Sequence, residues 1–180
     1  MQKIVLLCVI SVLVFSFCSN EKKFEKQTRV LDSLTLELEK GIAVYKTIDT
    51  VKLKQKLEEY EKQVKYIAEN VKDTISLKDG EVINAYKGLS NAMNYLVTKN
   101  RDFITEIELS KQQLKDLSED IKNNKIEDAK AFEYYTQEQF NAESLLAAMN
   151  KDIAIARTEV NRFDSLNGEI KAFIGRYTVK

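Results

Sequence analysis

The chain has 180 residues, enough for one substantial domain, and its 28 basic side chains are matched by 28 acidic ones interleaved along its length. This argues against nucleic acid as a partner, because polyanion binders gather Lys and Arg into a patch that neutralises phosphates. Histidine, proline and tryptophan are absent and the two cysteines stand at positions 8 and 18, which excludes from the body Cys/His zinc sites, Glu-x-x-His di-iron sites, internal disulfides and Ser/His or Cys/His nucleophile pairs.

Residues 1–18 read MQKIVLLCVISVLVFSFC: one positive charge at Lys3, an unbroken apolar or small run from Ile4 to Cys18, then the polar tether SNEKK at 19–23. This is the layout of a secretory leader. The run of about 15 residues spans roughly 22 Å, short of the roughly 30 Å core of a bilayer, which favours a cleaved leader over a permanent anchor. Cys8 lies inside the run with no polar boundary after it and reads as filler. Cys18, where the apolar run meets the polar chain, makes the segment resemble the leader of bacterial lipoproteins, over about 20 residues; Phe17 stands where that family's lipobox has a small residue. The resemblance implies lipidation of Cys18 and attachment to a membrane through the new N-terminus. Cleavage after Ser16 by the general signal peptidase, or an uncleaved anchor, are the alternatives.

From Phe24 onward no proline interrupts a sequence dominated by Glu, Lys, Leu, Gln and Ala, so helices should stop only at glycine or asparagine clusters. One such stop is LKDGE at 77–81, where Gly80 permits a turn and Asp79 can cap the next helix. The other is NNKIE at 123–127, where Asn124 and Glu127 have capping-box spacing. The chain thus divides into helices at about 24–76, 81–122 and 126–175. Gly41, Gly88 and Gly168, inside them, should each mark a close helix approach.

The third helix shows Phe132, Tyr135, Gln139, Ala142, Leu146, Met149, Ile153, Ala156, Val160, Phe163, Asn167, Ile170 and Ile174 at alternating spacings of three and four. The second shows Met93, Leu96, Asn100, Phe103, Ile107, Ser110, Leu114, Leu117 and Ile121; the first ends on Leu53, Leu57, Tyr60, Val64, Ile67 and Val71. Short connections between helices of similar length force neighbours to run antiparallel. The expected fold is all-α, an elongated antiparallel three-helix coiled-coil bundle over 24–180, with a spectrin-repeat-like body. Val30, Leu34, Leu38, Ile42 and Tyr45 drift out of phase with the later heptads across TIDTV at 47–51, so the alternative is four helices with a break there, capped by Asp49 or Thr50.

The polar seam residues Asn100, Ser110, Gln139 and Asn167 read as devices fixing helix register, since no carboxylate shares the seam to make a charged cluster. Tyr134 and Phe140 fall off the seam and either pack on flanking helices or face a partner; they are candidates for a partner contact, as are Phe173 and Tyr177 near the C-terminus. With Cys18 as anchor, the 123–126 turn lies near the membrane, and the 77–80 turn and the C-terminus lie together at the far end. Neither an enzymatic activity nor a cofactor or metal is expected. The sequence reads as a non-enzymatic cell-envelope lipoprotein, periplasm-facing or surface-exposed, acting as an extended scaffold or interaction rod for an envelope or extracellular protein. The alternative is an exported binding module for an apolar, cell-wall, or host or envelope protein ligand.

Overall fold

The seam of the first helix runs through two threonines. Phe24, Thr28, Leu31, Thr35, Leu38, Ile42 and Tyr45 are buried at alternating spacings of four and three. Each threonine turns its hydroxyl back onto its own helix, Thr28 to the Phe24 carbonyl at 3.1 Å and Thr35 to the Leu31 carbonyl at 2.8 Å, which makes a polar residue acceptable at an inward position. Leu31 is wholly buried, whereas the expected Val30 is only half-buried. The computed structural model describes residues 23–72 and 74–178. The leader with Cys18, and most of the 19–23 tether, lie outside them.

Among the described residues the structure is all-helical, a bundle of four long helices and one short one: α1 (Glu25–Tyr45), α2 (Thr50–Asn70), α3 (Leu77–Lys87), α4 (Ser90–Lys122) and α5 (Asp128–Thr178). The expected continuous helix over 24–76 is broken at the TIDTV segment. The phase that ends on Tyr45 would next bury positions 49 and 52, but the buried side chains are Leu53, Leu57 and Tyr60, one residue late. The chain absorbs the slip by stopping and restarting. Asp49 leaves the helical region (φ −77°, ψ 86°), and its Oδ1 accepts the Lys52 amide at 2.9 Å.

Two expected boundaries move. LKDGE is not a turn but the first turn and more of α3. Its cap is Ser76, whose Oγ accepts the Asp79 amide at 3.1 Å and donates to Asp79 Oδ2 at 2.8 Å, so Asp79 is the third helical residue, bonded to the cap, rather than the cap itself. The expected 81–122 helix is interrupted where Gly88 ends α3 and the wholly buried Leu89 leads into α4. Neither Gly88 nor Gly168 seats a close helix: a Cβ at Gly88 would meet only carbonyl oxygens of its own helix, and at Gly168 nothing within 4 Å.

Asn124 caps the end of α4, not the start of α5. It sits in the left-handed region at φ 53°, its amide donates to the Ile121 carbonyl at 3.1 Å and the Lys125 amide to the Asp120 carbonyl at 2.9 Å. This is the paired bonding of a Schellman motif, with asparagine in the place usually taken by glycine. At α5, the Glu127 carbonyl accepts the first helical bond, from Ala131 at 2.8 Å.

Two compact units can be distinguished among the described residues: those up to 42 with 105–147, and those of 43–104 with those from 148 onward. In the first, Leu31, Leu38, Ile107, Leu114 and Ala142 are wholly buried, Lys23 pairs with Asp128, and Asp32 accepts from Ser118 at 2.7 Å and Lys122 at 2.9 Å. In the second, Leu53, Tyr86, Leu89, Met93, Leu96, Phe163, Ile170 and Phe173 make one core. There the α2 to α5 contacts advance along both helices, from Lys56 with Asp164 to Gln63 with Asn167, so these helices run parallel. Those from α3 run the other way, Asp79 to Arg176 and Tyr86 to Phe163, the succession that short antiparallel connections impose.

The left-handed cap gives a direct test. Asn124→Gly leaves stability within about 0.5 kcal/mol of the parent, whereas Asn124→Val lowers it by about 1–2 kcal/mol because a β-branched side chain crowds the backbone there. Urea midpoints of the two variants decide it.

Candidate functional site

Four side chains were expected to meet a partner, and the structure separates them. Tyr134 and Phe140 are exposed, Phe140 at 67%. Phe173 is in the core of the second unit and Tyr177 packs half-buried on it, their rings 4.8 Å apart. The Asp79 to Arg176 ion pair at 2.6 Å does join the start of α3 to the end of α5.

Phe132 reverses the other way. It has seam spacing yet is 57% exposed, because its neighbour Ala131 takes the inward place. At about 100° per residue, Phe132 and Phe140 lie about 80° apart around α5, while Tyr134 is about 200° from Phe132. The three rings therefore do not make one patch: Phe132 and Phe140 share a side and Tyr134 faces away.

In the second unit, Gln63 is the centre of a polar network. Its amide donates to Asn167 Oδ1 at 2.8 Å and its carbonyl oxygen accepts the Tyr86 hydroxyl at 2.6 Å. Asn167 donates to Glu59 at 3.1 Å, and Lys171 pairs with the same carboxylate at 2.7 Å. The Lys171 ammonium beside Glu59 holds its carboxyl below the ordinary range, against burial and with help from Asn167. Of the four polar seam residues, Asn167 is thus fully engaged, Asn100 lies beside the Tyr45 hydroxyl, Gln139 bonds only to Glu143 one turn on, and Ser110 is buried with no hydrogen-bond partner among the described residues.

The expectation that no carboxylate lies inward is overturned at two positions. Along α5 the wholly or nearly buried line is Ala142, Met149, Ala156, Phe163 and Ile170, and the residues three further on, Asp152, Glu159 and Phe173, are buried too. The seam is a wide face rather than a stripe, which brings acids inward that heptad counting leaves outside. Glu159 is held by Arg162 at 3.0 Å. Asp152 accepts the buried Tyr45 hydroxyl at 3.1 Å. Burial pushes the Asp152 carboxyl above its ordinary range, with the Tyr45 bond and the Lys151 charge pulling part of the way back. Burial and the Asp152 charge raise the Tyr45 phenol in turn.

These acids do not cluster: no group of three or more potential ligands able to hold a metal ion occurs among the described residues, and no described helix is long and apolar enough to cross a membrane. Comparison of the chain with protein families, with characterised proteins and with solved structures finds no match.

The two engaged carboxylates pull stability in opposite directions with pH. Asp152, raised in the fold, contributes stability at acid pH that is lost as pH rises through its folded value; Glu59, lowered, contributes stability above the ordinary carboxylate range that is lost on acidification. Asp152→Asn, which keeps an acceptor for Tyr45, should therefore gain on the parent progressively between about pH 3 and pH 7. Over the same interval Glu59→Gln should lose ground. Chemical unfolding at a series of pH values reads both slopes, and parallel curves for parent and variants would refute them.

Proposed function

We propose that this chain is a non-enzymatic lipoprotein of the bacterial cell envelope, exported by its leader, held to a membrane by lipidated Cys18 and facing the periplasm or the surface. Its helical body acts as a scaffold on which an envelope or extracellular protein docks. The leader composition of residues 1–18 supports the anchor. The observation that carries the docking role is the exposure of Phe132 and Phe140 on one side of α5, where two large rings remain in water although the chain buries most of its seam hydrophobes. Aromatic side chains dominate the energetics of protein interfaces, because a large apolar area is buried for few rotatable bonds. The polar groups of the second unit fit a structural part in this reading, since the Gln63 network closes on itself and leaves little for a reacting molecule.

Metabolic labelling with an alkyne fatty acid tests the anchor: the parent takes up label and Cys18→Ser does not. Equal labelling of the two, or none in either, overturns it. A photo-reactive phenylalanine at position 140 or 132 tests docking in intact cells. Crosslinks to one envelope protein should form from both positions and not from buried position 163; their absence overturns the scaffold role.

A further inference from the structure

The break between α1 and α2 leaves a groove. Where the chain turns at Thr47–Asp49 and the first turns of α2 lie against α5, an open cleft of about 380 Å³ remains within the second unit. Its walls are hydrocarbon: Ile48 and Leu53 on one side, Ile153, Ala156 and Val160 on the other. Its polar rim is unbalanced, with Lys52, Lys56 and Arg157 against the single carboxylate of Asp49.

The three cations are not equivalent. Lys56 is committed, since its ammonium pairs with Asp164 and lies 4.8 Å from the centre of the Phe163 ring. Lys52 stands 3.5 Å from Asp49. Arg157 makes no ion pair among the described residues, although it lines the same cleft. The groove therefore joins an apolar trough to one uncompensated guanidinium, with a second cation close by.

We propose that this groove binds a single-chain fatty acid, its carboxylate on Arg157 with Lys52 beside it and its acyl chain along Leu53, Ile153, Ala156 and Val160. Guanidinium and carboxylate are matched for paired hydrogen bonds, and such charge-assisted bonds are the stronger kind. One surplus cation fits a monoanion. A volume near the lower end of the range for ligand sites, about 300–1,000 Å³, fits one acyl chain and not a two-chain lipid. A neutral apolar ligand would cover the trough but leave Arg157 without a partner, and an inorganic anion would leave the trough exposed to water. The site is independent of Cys18 and of the exposed aromatic residues, so its failure would leave the anchor and docking roles untouched.

The full chain, held in phosphatidylcholine nanodiscs, is irradiated with a diazirine analogue of lauric acid and the labelled peptides are mapped. Labelling should fall on residues 47–56 and 153–161 and be suppressed by excess laurate but not by methyl laurate, which has the chain without the charge. Arg157→Gln, at an exposed position, should reduce it about ten-fold, a typical effect of losing one charge-assisted contact. Val160→Trp, which fills the trough, should abolish it while the helical circular dichroism stays that of the parent. Labelling confined to other segments, equal competition by methyl laurate, or full labelling of Arg157→Gln overturns the proposal.

Discussion

A helix can continue only as long as its inward residues keep one phase, and between Tyr45 and Leu53 this chain changes phase by one residue. An α-helix running through such a slip must rotate its apolar face away from the core by about 100° or strain its winding over several turns. Here neither happens. The segment instead carries what a stop needs: small and β-branched residues at 47–51, and an aspartate whose side chain satisfies one of the free amides of the next helix, that of Lys52. Much of the second unit follows from that restart. It sets α2 parallel to α5, so that Lys56 meets Asp164 and, further along both helices, Glu59 and Gln63 meet Asn167. It also leaves the corner where the chain reverses phase incompletely filled.

The polar groups inside the second unit divide by how completely they are answered. Gln63 links α2, α3 and α5 through Tyr86 and Asn167, and Tyr60 adds a bond from its hydroxyl to the Lys87 carbonyl at 3.0 Å, so the end of α3 is tied to α2 as well. A network satisfied at every member admits only one register, because sliding any helix by a turn leaves several buried donors unpaired, at about 1–3 kcal/mol each. Asp152 is answered by one hydroxyl and Glu159 by one guanidinium. The single hydroxyl bond does not offset the loss of hydration of the Asp152 carboxylate, and burial accordingly governs its titration.

How much of this was legible depends on whether one cause acted alone. The seam of α4, from Met93 to Ile121, reads correctly because apolar residues alternate there with charged ones and nothing competes. In α1 the expected Leu34, Leu38, Ile42 and Tyr45 are inward and Val30 is not, while Thr28 and Thr35 escape notice because they are acceptable inward only after their hydroxyls have bonded to the helix itself. Both caps were misplaced for a related reason. Ser76 and Asp79 lie three apart, and the pattern shows a helix start without saying which of the two stands outside it. Asn124 is favoured both before a helix and in the left-handed position after one, and the bonds from Asn124 and Lys125 back to α4 decide between them. Phe132, Phe173 and Tyr177 depended on tertiary packing, which periodicity ranks by spacing and not by neighbour. The leader lies outside the described residues and rests on composition alone.

Overall neutrality argues against a polyanion as partner, yet it averages over the length at which recognition of a small ion takes place. Screening limits the reach of exposed charges to about 8–10 Å at physiological salt, so what a bound carboxylate feels is the set of groups within that distance. The charged groups that line the corner of α2 are Lys52, Lys56, Arg157 and Asp49, and among the described residues the pairings with Asp49 and Asp164 leave the guanidinium as the remainder. The same lysine that closes on Asp164 also lies over the Phe163 ring, a second attraction that holds it in place. A chain with equal numbers of acids and bases can in this way keep one positive site beside an apolar wall. It does so by placing the phase break, the cap and Arg157 around a single corner.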